Sequence, residues 1–183
     1  MRRFQKLLNN CFLFKSGQSR EKQKIKILQT RTIKATIVVK APLPMVFTTF
    51  FKFDFLQIFN ELWFVPNFKY LILAQHDFRP GQQHTIYFDN GATALVRLKT
   101  FLPELCFSSE VYNFVCHLSG LQSIEYVFCF SEDLPDDHRR VACEYHFKFR
   151  WRLRAFLFEI FVRGTIEKNL EKALEQRAKA LRY

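Results

Sequence analysis

The chain has 183 residues, of which 49% are hydrophobic, 17% aromatic and 25% charged, with 23 Phe. These proportions exclude wholesale disorder and suit one domain with a core of ordinary size. The net charge of +11 is uneven: residues 1–40 hold 11 Lys/Arg against Glu21 alone, and the other 143 residues hold 17 basic and 16 acidic side chains, leaving +1. A nucleic-acid-binding domain carries its charge on the folded body, so that class of partner is disfavoured.

Residues 1–28 read as a basic arm ahead of a domain at 29–183. Phe4, Leu7, Leu8, Cys11 and Phe12 follow helical spacing, with Arg2, Arg3, Lys6 and Lys15 among them. Such a segment is a transit peptide, an interfacial membrane helix or a solvated extension. Its apolar run, Cys11 to Phe14, is too short for a secretory signal or a membrane span. From Arg31 the alternation of Ile33, Ala35, Ile37 and Val39 against Thr32, Lys34, Thr36 and Lys40 predicts a half-buried strand. Pro42 or Pro44 opens a short helix, residues 53–60 predict a second, and Pro66 breaks the pattern.

Strands follow at 68–76, 82–89, 92–101, 105–115, 121–131 and 141–153. Their separators include Arg79-Pro80-Gly81, Asn90-Gly91 and Pro103-Glu104, and the regular short spacing indicates an antiparallel meander. In the last strand Val141, Cys143, Tyr145, Phe147, Phe149 and Trp151 oppose Glu144, His146, Lys148, Arg150 and Arg152. A long helix, about 155–181, closes the chain, with Ile166, Leu170, Ala173, Leu174 and Leu181 on one face. Its opening turns, "AFLFEIFV", are apolar almost all round and predict burial on more than one side. Seven strands with one apolar face need a cover, and the final helix is the long element available to provide it. The expected class is α+β: a curved antiparallel sheet around a long C-terminal helix, with two short helices between strands 1 and 2.

"APLPMVF" after the first strand resembles the START-like superfamily, also called SRPBCC or polyketide cyclase/dehydrase-like proteins. So do Gly81 to Gly91 ("GQQHTIYFDNG"), the strand into Pro103 and the terminal amphipathic helix, while "FDFLQIFNELWFVPNF" is similar to bacterial members. The resemblance spans roughly 31–180. It implies a helix-grip fold enclosing an apolar cavity, in a group that binds lipids, sterols, quinones and polyketides or acts as cyclases. No catalytic motif of the group is matched.

A two-residue loop at Asn90-Gly91 would pair Tyr87 with Ala94 and Thr85 with Val96. One face would then gather Ala92, Ala94, Val96 and Leu98 with Thr85 and Tyr87, leaving His84, Ile86 and Phe88 outward. The small residues either let the helix approach closely or leave volume for a guest. With the resemblance in view, the guest is the preferred reading, and its expected contacts are these six residues together with Tyr126, Tyr145, Phe147 and Phe149.

Five Cys (11, 106, 116, 129, 143) with no C-x-x-C predict a reducing, cytoplasmic setting and no disulfide framework. His76, His84, His117, His138 and His146 lack ligand spacing, so neither metal nor cofactor is expected. The expected function is binding of a hydrophobic small molecule or lipid, as carrier or sensor, without catalysis. The alternatives are a cyclase or aromatase, for which Glu61 and Asp77 near the cavity mouth are the acids to watch, or a membrane-associated interaction protein. For the last, Arg2, Arg3, Lys6, Lys148, Arg150 and Arg152 are the candidate contacts with an anionic surface, the last three in an outward stripe with Lys34 and Lys40.

Overall fold

A computed structural model describes residues 29–51, 55–59, 67–71, 79–115, 120–131 and 138–181. Seven antiparallel strands run as β1 (Gln29–Lys40), β2 (Phe68–Leu71), β3 (Gln83–Phe88), β4 (Thr93–Leu102), β5 (Cys106–Tyr112), β6 (Leu121–Ser131) and β7 (His138–Phe149). Their order across the sheet is β1-β7-β6-β5-β4-β3-β2, so the first strand closes against the last and the sheet curls into a half-barrel. Helix α1 (Leu43–Phe51) and a 3-10 turn (Phe55–Phe59) follow β1, and α2 (Arg152–Phe161) and α3 (Arg163–Ala180) end the domain.

Local chemistry explains these elements. Pro42 cannot continue β1 in the ladder, and its carbonyl instead accepts from the amides of Met45 and Val46 at 3.1 and 3.0 Å, which starts α1. α1 buries Leu43, Val46, Phe47 and Phe50. Phe47 lies 5.2 Å from Phe130 between ring centroids, and Phe51 lies 4.9 Å from Phe101 and 5.2 Å from Phe107. Phe107 in turn stacks on Phe128 at 5.1 Å. Each fully buried ring contributes about 2–3 kcal/mol, so this aromatic cluster is a principal anchor of the concave side. α3 covers β1 and the 3-10 turn; Ile166, Leu170, Ala173, Leu174 and Leu181, the stripe expected from spacing, are buried, and Ala178 joins them. Asn169 Nδ2 donates to the Ile58 carbonyl at 3.1 Å and fixes the helix against that turn.

Four expectations are corrected. The final helix is two helices meeting at Val162, whose φ of −117° departs from helical geometry, and Arg163 ties the pieces by bonding both Glu159 and Glu167. β7 ends at Phe149, so Trp151 and Arg152 belong to the start of α2 and not to a strand. Cys106 is disulfide-bonded, whereas Cys129 and Cys143 are free.

The hairpin is the fourth. Gly91 N donates to the Phe88 carbonyl at 3.1 Å and Phe88 N to the Ala92 carbonyl at 3.0 Å. Gly91 has φ 80° while Asn90 does not enter positive φ, which rules out the two-residue loop that needs both. The result is a three-residue loop, Asp89-Asn90-Gly91, with Asn90 Oδ1 accepting from Ala92 N at 3.0 Å. The register therefore slips by one: Ile86 faces Ala94, Thr85 faces Leu95 and His84 faces Val96. A one-residue slip exchanges the faces of one strand relative to the other.

Candidate functional site

The concave face can be read as rows of residues across neighbouring strands. One runs Ile86–Ala94; the next runs His84–Val96–Val111–Ile124–Phe147–Arg31. Beside it lie Leu98–Ser109–Tyr126–Tyr145–Ile33 and then Phe101–Phe107–Phe128–Cys143–Ala35. The third of these rows holds three hydroxyls, on Ser109, Tyr126 and Tyr145, between two rows dominated by apolar groups. Ser109 is 2% exposed and Tyr145 is fully buried, while Tyr126 is half-buried. The two tyrosine rings stack at 5.6 Å and 29°. Phe59 meets Tyr145 edge-on at 6.0 Å, and Phe158 lies 4.6 Å from Phe147 and 5.1 Å from Phe149.

Of the residues expected to line a cavity, Ala94, Val96, Leu98, Tyr126, Tyr145, Phe147 and Phe149 share the concave face, all buried except half-buried Tyr126. Ala92 is half-buried at the loop. Thr85 and Tyr87 lie on the opposite face because of the register slip, and His84, Ile86 and Phe88 take their place inside. His84, Ser109 and Arg31 are among the inward polar groups that pattern reading did not select. The signal for His84 was available: Ile86 and Phe88 are more apolar than Thr85 and Tyr87, and a three-residue loop unites the apolar sets of both strands. Glu61, Asp77, His76 and His117 lie outside the described residues, as do Arg2, Arg3 and Lys6.

The convex face is an ion-pair lattice across strands. Lys34 Nζ donates to Glu144 at 2.7 Å, Lys148 to Glu125 at 2.9 Å, and Arg97 to Glu110 at 2.9 Å, with Lys99 also on Glu125. Lys148 lies 3.7 Å from Glu110 as well. Of the outward stripe, Lys34 and Lys148 are thus ion-paired with carboxylates. Burial pushes the Glu125 carboxyl up, but hydrogen bonds from Lys99 and Lys148 outweigh it and hold the group below its usual range. Burial lowers the His146 imidazole, whose Nδ1 lies 3.0 Å from Thr32 Oγ1. Burial also pushes the Cys129 thiol up to about 12.

A separate open cleft of about 430 Å³ lies where β1 meets α1, lined among others by Lys40, Leu43, Glu104 and Arg139. Six residues along β1 separate Lys40 from Lys34, beside the hydroxyl row, so the cleft is roughly 20 Å from that row. Among the described residues no group of three or more His, Cys, Asp or Glu could hold a metal ion.

Comparison with solved structures places this architecture. The chain is similar to Ara h 8.0201, with a TM-score of 0.54 and 9% identity, over 84% of this chain and 95% of that one. It is likewise similar to an uncharacterized protein from Bacillus thuringiensis, with a TM-score of 0.53 and 11% identity, over 82% of this chain and 98% of that one. Both likenesses establish the fold, which is the helix-grip α+β architecture. No family model matches the chain, and no curated protein matches it.

Proposed function

We propose that the protein binds a hydrophobic small molecule or lipid against the concave face of the sheet. The observation that carries this reading is the single row of hydroxyls, Ser109–Tyr126–Tyr145, set between apolar rows on that face. Ligand sites are mostly apolar with a few placed polar groups that orient the guest, and this row has that composition. Ala94, Val96 and Leu98 stand on β4 on one side of β5 and β6, and Phe147 and Phe149 stand on β7 on the other. Among the described strand residues the inward positions carry hydroxyls, one imidazole and two guanidinium groups but no carboxylate, which favours orientation of a guest over cyclase chemistry.

Native mass spectrometry of protein purified from its own host is expected to show an apolar adduct that denaturation releases. Titration with the apolar fluorophore 1-anilinonaphthalene-8-sulfonate is expected to saturate and to be displaced by that adduct. Absence of both an adduct and saturable probe binding overturns the proposal.

A further inference from the structure

α2 is apolar on two opposite sides, and the fold covers only one of them. Ala155, Phe158 and Val162 are buried at 0%, 6% and 6% exposure, with Phe158 seated on Phe147 and Phe149. The other side presents Leu153, Phe156, Leu157, Ile160 and Phe161, spaced i, i+3, i+4, i+7 and i+8 as an amphipathic stripe requires. Leu153, Phe156, Ile160 and Phe161 are 66%, 56%, 55% and 65% exposed, and Trp151, just before the helix, is 51% exposed. The burial on several sides that the sequence led us to expect is thus missing where the largest apolar groups stand. Contiguous exposed apolar groups of this size mark an interaction surface.

The margins of the stripe are cationic. Arg152 and Arg154 border it on either side, one position before and one after Leu153, and Arg150 lies over the Trp151 ring at 5.7 Å; all three arginines are exposed. Glu159, the acid of this helix, is engaged in ion pairs with Arg163 and Arg31. A second copy of the chain would bring these arginines against their equivalents, and residues 1–28 carry eight basic side chains against Glu21, so neither complements this face. From this juxtaposition we infer that α2 is an interfacial helix that docks on an anionic phospholipid surface, with the apolar stripe at the acyl boundary and the arginines at the headgroups. Long basic side chains flanking an apolar stripe suit that position, since their stems lie along apolar surface and their heads reach the phosphates. Among the described residues no helix is long and apolar enough to cross a membrane, so the mode is attachment and not spanning by a helix of the described set. The inference is independent of the ligand reading.

The test uses the full chain and sedimentation with vesicles of phosphatidylcholine alone or mixed with phosphatidylserine. Wild-type protein is expected to bind the mixed vesicles, less so as salt rises. Phe156→Ser with Ile160→Ser is expected to weaken binding about tenfold or more, and Arg152→Glu with Arg154→Glu to do so for the mixed vesicles selectively. These side chains are exposed, so unchanged circular-dichroism melts confirm that folding is intact. In a Trp63→Phe background, Trp151 emission is expected to shift to the blue on binding. Unaltered binding by the Phe156/Ile160 variant overturns the inference in favour of the arm or other charges. No binding by the wild type also overturns it, as does self-association that the same substitutions abolish.

Discussion

Tyr126 and Tyr145 stand opposite each other on β6 and β7, their rings stacked at 5.6 Å, one half-buried and the other fully enclosed. Aromatic pairs in this geometry add about 0.5–1.5 kcal/mol beyond area burial, so the pair both braces the sheet and positions two phenolic hydroxyls. Tyr126→Phe keeps the stack and is expected to leave the melting temperature nearly unchanged while weakening binding of the apolar guest several-fold. Probe titration and calorimetry measure the two separately. Equal affinity in Tyr126→Phe, Tyr145→Phe and Ser109→Ala would remove the hydroxyl row from the site.

The aromatic cluster under α1 makes a purely structural prediction. Phe128 is fully buried and stacked on Phe107, so Phe128→Ala is expected to cost about 3–5 kcal/mol. Denaturant titration reads this as a lower midpoint with an unchanged slope. A loss below about 1 kcal/mol would show that the cluster is loosely packed.

At the hairpin the cost is one of backbone conformation. Nothing lies within 4 Å of a Cβ built on Gly91, and its φ of 80° alone opposes a side chain. Gly91→Val is expected to cost about 1–2 kcal/mol, and Asn90→Ala less, through loss of its bond to Ala92. If Gly91→Val melted like the wild type, the bulged three-residue loop would be the wrong description.

That hairpin also shows what pattern reading can and cannot supply. The seven strands, their antiparallel order, the face of α3 and the inward side of β7 follow from alternation and helical spacing, which depend on burial of side chains such as Ile33, Tyr145 and Leu170. The loop length between β3 and β4 does not: Asn90-Gly91 suits both a two-residue loop and a bulged one, and the choice moves Thr85 and Tyr87 out and His84 in. Ser109 escaped notice because a lone serine among apolar positions becomes meaningful only when register sets it beside Tyr126. The exposure of Phe156 and Ile160 was hidden for another reason, since apolar residues on both sides of a helix imply two covers and the fold supplies one.

Gly120 couples the start of β6 to the start of α2. It sits at φ 85°, accepts from Arg150 N at 2.9 Å, and a Cβ there would come within 2.8 Å of the Trp151 ring. Gly120→Ala is expected to destabilise the protein by about 1–3 kcal/mol and to displace Trp151. In a Trp63→Phe background the emission maximum and quenching of Trp151 report that displacement. An unchanged spectrum would contradict the close approach.

The convex lattice sets the response to acid, and its sign can be worked out group by group. The folded imidazole of His146 is held below its ordinary 6.5, chiefly by burial, so the unfolded chain takes that proton first. Its share of stability is present above 6.5 and is lost as pH falls toward the folded value. Glu125, with its folded carboxyl held below its ordinary 4.5 by Lys99 and Lys148, contributes above 4.5 and loses that share as pH falls through its lower folded value. Urea midpoints are therefore expected to decline in two stages, the first beginning near neutrality and the second below 4.5. His146→Gln should erase the first stage and keep the second. Glu125→Gln should lower stability at neutral pH by about 1–3 kcal/mol, because Lys99 and Lys148 lose a charged partner, and should flatten the second. Stability that rises on acidification from neutrality to pH about 5 would show that the imidazole gains rather than loses proton affinity on folding.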